Sequence, residues 1–429
     1  MNRIMKAILT VLFSTFCGAV LAQGGAGLTL DSCLAYAYGH NLSVETARLN
    51  SELAASAFEG AKLNFLPSLS ASASESLNLA GQGTRNGSYG INGSLTLFSG
   101  LANLRSYQQS RTSMEQADLR VTQSRNNIGS QVVSAYLTVV MNRERLVYQR
   151  EVLATAEQQR AEGELKYEVG RLLESDYKLL DANYRSASNE IENTLITISN
   201  NLLALRSLLC WAEDEELDVL TDTAQLDSKA ILLPTLDSVV AQSLRNMPDL
   251  AIGQTEVEIA RRNVQISHSA FSPTLSLNAG MAYSDGSVLD ASSQMVTSGG
   301  LNSSVTLGLN LPIFDRGQSI TRLKQSRINL QQAELQLRQT ELDLRKTIEG
   351  QWLETRRALN SFATTEALKE AYHASYEVYS VKYAAGAVTT VEFLQQQDRY
   401  LSSLNDYLQT KYTFLLNKKI MEIYTGKVF

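Results

Sequence analysis

The pattern of apolar and polar positions changes period along the chain. Leu69, Ala71, Ala73, Leu77 and Leu79 alternate with serine, and Glu75 alone breaks the pattern. Tyr89, Ile91, Leu95 and Leu97 alternate with Asn92, Ser94 and Thr96. The second half repeats this with Leu275, Leu277, Ala279, Met281 and Tyr283. Val305, Leu307, Leu309, Leu311 and Ile313 then stand against Ser304, Thr306, Gly308 and Asn310. A period of two predicts strands over about 68–79, 88–98, 274–284 and 303–313. They form two hairpins, with Gly/Ser/Asn-rich loops at 80–88 and 284–304.

Each strand is about ten residues, the length that crosses a tilted bilayer path. The second face is Ser, Asn, Thr and Gly, which suits a wet lumen. A half-buried soluble sheet gives the same alternation. Four strands do not close a barrel, for which about eight is the smallest usual number. Open edges are not tolerated in lipid. Strands in a membrane would have to be shared between chains, eight from two copies or twelve from three.

Elsewhere the period is helical. Unbroken patterns over about 101–169 and 317–385 predict two helices of roughly 100 Å. Each is followed by a second long helix, over 172–210 and 389–417. The five prolines, Pro67, Pro234, Pro248, Pro273 and Pro312, all lie outside these stretches. Ile328, Leu335 and Leu342 lie seven apart, and so do Leu330, Leu337 and Leu344, two residues on. Two residues are about 200° around a helix, so the stripes face opposite ways and predict packing on both sides. Met114, Val121 and Ile128 repeat one stripe in the first half. Tyr177, Tyr184, Ile191, Ile198 and Leu205 form one row of a heptad seam, which Leu195, Leu202 and Leu209 complete. Phe393, Tyr400, Tyr407 and Phe414 hold corresponding places. A coiled coil without a channel explains these heptads and leaves the strand hairpins unexplained.

The two halves say nearly the same thing. "LKYEVGRLLESDYKLLDANY" at 165–184 returns as "VKYAAGAVTTVEFLQQQDRY" at 381–400. "LTLDS" at 28–32 echoes "PTLDS" at 234–238, and "FLPSLSAS" at 65–72 echoes "FSPTLSLN" at 271–278. The offset grows from 206 to 216 between proline and Phe314, as an insertion in a loop would make it. The predicted organisation is a signal peptide over 1–22, a first repeat over 23–212, a linker over 213–233 and a second repeat over 234–429.

Charge and chemistry narrow the function. Arg3 and Lys6 precede the apolar run "AILTVLFSTFCGAV", and Val20-Leu21-Ala22 reads as a cleavage site before Gln23, so the chain is predicted to be exported. Phe16 precedes Cys17 where lipidation needs a small residue, which predicts cleavage without a lipid anchor. Without Arg3 and Lys6 there are 36 Lys+Arg against 44 Asp+Glu, a net charge of −8. That argues against nucleic acid. Cys33 and Cys210 are read as separately buried thiols rather than a disulfide. His40, His268 and His373 are scattered without metal-ligand spacing, and no nucleophile elbow or phosphate loop is present. Asp and Glu fall on solvated helix faces. Neither an enzyme nor a cofactor is expected.

With the duplicated halves, the "FLPSLS" start of a strand hairpin, the long helices and the tips "KYEVGRLLESD" and "KYAAGAVTTVE", the chain resembles the TolC-type outer-membrane efflux protein family over essentially its whole exported length. The resemblance implies a mainly α fold with a membrane β-barrel part. Duplicated long-helix hairpins would form a periplasmic α-barrel, and four strands per chain would contribute to a homotrimeric twelve-stranded barrel in outer-membrane lipid. It implies a passive exit duct, a periplasmic adaptor, and an inner-membrane pump of RND or ABC type. The hairpin tips around Gly170, Arg171, Leu172 and Gly386, Ala387, Val388 would dock the adaptor. Asp176 and Tyr383 match a hydrogen-bonded pair that closes the family's tip. Val388 stands where the family has the arginine joining them, and Arg171 is the candidate to replace it. Glu392 matches one of two aperture aspartates, and neutral Gln395 replaces the other. A weaker lock and a less acidic constriction are expected. Thr389 and Glu392 also read as a local capping box. The rival readings are an exported coiled-coil protein bridging periplasmic layers and an autonomous porin.

Overall fold

The computed structural model describes residues 27–78, 84–212, 217–220, 231–289 and 295–426. The expected signal peptide, Cys17 and most of the 213–233 linker lie outside them. The element order is stated twice over. Helices α1 (Leu30–His40) and α2 (Leu42–Leu63) lead to strands β1 (Ser68–Asn78) and β2 (Thr84–Ser99), then α3 (Ala102–Glu168) and α4 (Glu174–Leu209). Helices α5 (Leu236–Asn246) and α6 (Pro248–Ser269), strands β3 (Thr274–Leu289) and β4 (Met295–Asn310), and helices α7 (Gln318–Ala384) and α8 (Thr390–Tyr424) repeat the series. The echoed "TLDS" phrases are helix starts. The Thr29 hydroxyl accepts the Ser32 N–H at 3.2 Å, and Thr235 is the corresponding N-cap of α5. The four short helices α1, α2, α5 and α6 carry no long apolar stripe, and the sequence reading passes over them.

The chain divides into two compact units. One holds Thr46–Gln123 and Pro248–Leu344. Its strands form an antiparallel sheet in the order β1-β2-β3-β4, with β1 and β4 at open edges. The strands run further than the alternation predicts. β3 and β4 stay paired up to Leu289 and Met295, through a stretch expected to be loop, because the ladder itself satisfies the backbone there. The second copy's extra residues therefore lengthen strands rather than only a loop.

The register sorts the side chains. One face carries Leu69–Gly93–Ala279–Val305, then Ala71–Ile91–Met281, then Ala73–Tyr89–Tyr283–Leu301. Glu75, Arg85 and Asp285 follow beyond the tyrosines on this face, and Arg85 pairs with Glu75. The apolar band from Leu275 to Tyr283 is roughly 27 Å along the strand, close to the band of membrane barrels. The opposite face runs through Ser70–Asn92–Gly280–Ser304 and Ser72–Gly90–Ala282–Asn302 and, among the described residues, holds no charge. Leu69 is 80% and Val305 75% exposed in the single chain.

In the same unit the two stripes of α7 part company. Leu337 sits against Gly253 of α6 and Leu344 is buried, whereas Ile328, Leu335 and Leu342 are exposed.

The other unit holds the chain up to Glu45, Ser124–Met247 and the chain from Arg345 on. Its core joins Cys33, Leu34 and Ala37 of α1 to Val132, Val133 and Val139 of α3, Leu205 and Leu209 of α4, Phe362 of α7 and Phe414 of α8. Leu28 makes a parallel bridge to Val219, and the Tyr136 hydroxyl donates to the Leu220 carbonyl at 2.8 Å. The seam of α4 differs from expectation at one row. Leu195 is exposed, Leu180 and Thr194 are buried instead, and Ile191 and Ile198 pack with Leu146, Leu153 and Leu202. Cys33 and Cys210 are unpaired. Cys33 is buried, and burial pushes its thiol up to about 12. Cys210 is exposed, against expectation, because it is the left-handed residue that ends α4. No helix among the described residues is long and apolar enough to cross a membrane.

Candidate functional site

The expected site residues gather at two hairpin tips, where α3 turns into α4 and α7 turns into α8. Both turns are built alike. Gly170 has φ +70°, its N–H donates to the Tyr167 carbonyl at 2.9 Å, and the Arg171 N–H donates to Lys166 at 2.7 Å. Gly386 has φ +73°, with Gly386 to Tyr383 at 3.0 Å and Ala387 to Lys382 at 2.9 Å. These are the paired bonds of a Schellman helix end, and a positive φ at that point selects glycine. Arg171, Gly386 and Ala387 are exposed, and Leu172 and Val388 half-buried. Leu165, Val169, Leu173 and Val381 add exposed apolar surface around the tips.

The starts of the return helices differ. Thr389 caps α8 with a full capping box: its hydroxyl accepts the Glu392 N–H at 3.2 Å, and the Glu392 carboxylate accepts the Thr389 N–H at 2.9 Å. That backbone bond, helped by the Thr389 hydroxyl, holds the Glu392 carboxyl below the usual glutamate range. Leu173 occupies the equivalent place before α4 and offers no side-chain cap. Gln395 is exposed.

Tyr383 is held inside its own hairpin. Its ring stacks on Phe393 at 4.8 Å, its hydroxyl lies 3.5 Å from that of Thr390, and Lys166 of the first hairpin sits 5.8 Å from its ring. Asp176 is half-buried in the first turn of α4, and its N–H donates to Leu173. The single chain makes no Asp176–Tyr383 bond among the described residues. The arginine that does bridge groups near this tip is Arg160, which the sequence reading missed. It pairs with Asp181 at 2.8 Å, bonds Tyr177 and lies 5.1 Å from the Tyr184 ring. The spacing of Tyr177, Asp181 and Tyr184 along one face of α4 is its sequence signal.

A second missed group lies further up. Lys411 is 2.9 Å from both carboxylate oxygens of Glu144, and the Tyr412 hydroxyl donates to Glu144 at 2.6 Å. All three are buried, so this glutamate is not on a solvated face as expected. Burial and the carboxylate both push the Tyr412 hydroxyl up.

The sequence model of the outer membrane efflux protein family matches residues 35–210 and 239–419. The chain belongs to the outer membrane efflux protein family. Solved relatives agree in fold. The CmeC outer membrane channel of Campylobacter jejuni is 18% identical, with a TM-score of 0.78 over 92% of this chain and 85% of that one. The open state of the Neisseria gonorrhoeae MtrE outer membrane channel is 18% identical, with 0.73 over 92% and 88%. The Vibrio cholerae outer membrane protein VceC is 15% identical, with 0.72 over 92% and 96%. No curated protein matches the chain in sequence. As an outer membrane efflux protein, the chain is a channel component of the outer membrane that extends into the periplasm. Its mostly helical fold with four antiparallel strands per chain is that of the solved channels.

Proposed function

We propose that this outer membrane efflux protein works as a homotrimeric channel-tunnel, the passive exit duct of a tripartite export system. The observation that carries the reading is the two-faced sheet: an apolar face, an uncharged polar face, and open edges at β1 and β4. In lipid those edges need partners, and another copy supplies them as β1 against β4. Three copies give twelve strands around a wet lumen. The exposed stripe Ile328, Leu335 and Leu342 supports the same assembly, since it offers a neighbouring subunit an apolar helix face.

Energy would come from an inner-membrane pump, reached through a periplasmic adaptor. The adaptor would dock on the glycine turns at Gly170–Leu172 and Gly386–Val388, where the exposed leucines and valines lie. Asp176 and Tyr383 would close the resting tip by pairing between hairpins, the Tyr383 hydroxyl donating to the Asp176 carboxylate while Thr390 donates to Tyr383. Glu392 and Gln395 would line the aperture, with Glu392 ionised because its capping box stabilises the charge.

Conductance in planar bilayers, comparing the wild type with Asp176→Ala/Tyr383→Phe, tests this. Small cation-preferring steps that enlarge in the double variant are expected. Failure to insert would return the chain to a periplasmic coiled-coil scaffold. Large steps insensitive to the substitutions would keep the duct and overturn the lock.

A further inference from the structure

A cavity of about 240 Å³ lies between α3, α4 and α8, apart from the hairpin tips. Val152, Ala187, Leu401 and Leu404 give it an apolar wall. Arg145, Gln149, Glu190 and Asp398 give it a polar one. A volume of that size holds far more than one water, which needs about 10–15 Å³ by the same measure.

The polar wall is incompletely satisfied. Arg145 pairs with Glu190 at 2.7 Å, and Gln149 donates its amide to the same carboxylate at 3.4 Å. The Gln149 carbonyl oxygen and Arg145 Nε are buried with no partner among the described residues. Asp398 brings a second carboxylate, with no ion pair to it among the described residues. Asp398 lies exposed at the cavity's edge, and partial desolvation there moves its carboxyl upward from the usual aspartate range. Arg145 and Glu190 cancel, so the cavity carries one net negative charge, with one unmet acceptor at Gln149 and one unmet donor at Arg145.

That arrangement discriminates among ligands. An anion would meet two carboxylates, Glu190 and Asp398, against the single guanidinium of Arg145. A divalent cation needs more carboxylate or imidazole ligands than the site provides, and no cluster of three or more such groups exists among the described residues. A neutral apolar molecule would leave the buried Gln149 carbonyl without a donor and the Asp398 charge unmatched.

We propose that this cavity binds a small amphipathic amine, one protonated nitrogen on an apolar body. The ammonium serves Asp398 and the Gln149 carbonyl, and the body lies on Leu401, Leu404 and Val152. An occupant touches three helices at once and stabilises their packing by linkage. The site does not depend on the duct reading, and its failure would leave the conductance result untouched.

The test is calorimetric titration of the purified full-length protein in detergent with benzylamine, benzyl alcohol and benzoate. Benzylamine is expected to bind saturably, once per chain, at least tenfold tighter than benzyl alcohol, with benzoate undetected. Asp398→Asn should weaken benzylamine at least tenfold and leave benzyl alcohol unchanged. Ala187→Leu, which fills the cavity, should abolish both, with circular dichroism confirming the helices. No binding by the wild type, equal binding of amine and alcohol, or an Asp398→Asn variant with full amine affinity would each overturn the proposal.

Discussion

The two tip hairpins share a turn and an aromatic stack, Tyr167 on Tyr177 at 5.5 Å in the first and Tyr383 on Phe393 at 4.8 Å in the second, and differ in what surrounds it. At the first, Arg160 gathers Tyr177, Asp181 and Tyr184 by charge and hydrogen bond. At the second, the places of Arg160, Tyr177 and Asp181 are taken by Tyr376, Phe393 and Gln397. There Tyr376 stacks on Tyr400 at 5.5 Å, and Phe393 lies between Tyr376 and Tyr383. Around that stack one copy adds a half-buried ion pair and the other adds further aromatic surface. The difference recurs higher up: Lys411 and Tyr412 are buried on Glu144, whereas Leu195 and Ile196 hold the equivalent places in α4 and are exposed. A duplicated sequence has kept its backbone geometry and changed what fastens it. The second hairpin is expected to be the stiffer.

The largest way to break that asymmetry is Lys411→Met. It strands Glu144 in the core and is expected to cost about 3–5 kcal/mol in denaturant unfolding. Replacing the pair together, as Glu144→Leu/Lys411→Met, should recover most of the loss, and failure to recover would mean the charges fix the helix register. Phe393→Ala empties a fully buried site and should lower stability by about 3–5 kcal/mol. The equivalent Tyr177→Ala should cost clearly less, since Tyr177 is half-buried. Thr389→Ala removes a helix cap for about 1 kcal/mol, and Leu173→Thr should add a fraction of that to the first hairpin by supplying the missing one. Proteolysis at each tip reads the two changes separately.

The smallest effect is expected at Arg160→Met, visible chiefly as lost salt dependence of first-tip proteolysis. Asp181 gives this hairpin a pH signature. Arg185 first, and Arg160 with it, hold its carboxyl below the usual aspartate range. Its contribution is therefore complete above the ordinary aspartate range and disappears as the pH falls through the depressed value. Protection of the first tip should fall on acidification below pH ~4, and the second tip should lose only the contribution of its Glu392 capping box, its aromatic stack being indifferent to pH.

What was legible in the sequence follows from range. Helical period, turn glycines and strand alternation are local, and they place the long helices, both tips and the four strands. The capping box was readable because Thr389 and Glu392 are three residues apart. Glu144 was not, because its partners lie 267 and 268 positions away and a lone charge in a heptad reads as solvated. Leu195 misled in the opposite sense, since an apolar residue on a helix says nothing of which neighbour will cover it. The strands outran their alternation because Gly and Ser carry little side-chain signal, while their backbone groups still pair. The proposed tip lock would depend on contacts between hairpins, which one chain's sequence lists as residues and not as bonds.

The open edges of the sheet also bear on how the protein reaches its destination. β1 and β4, of 11 and 16 residues, each leave about half their peptide groups facing outward. Placing those groups in hydrocarbon unpaired would cost on the order of tens of kcal/mol. A solitary chain is therefore kept out of the bilayer by its own backbone, and insertion becomes a collective event. Its rate should rise more steeply than linearly with the amount of chain present. A cell that halves its synthesis would then lose more than half of its finished channels.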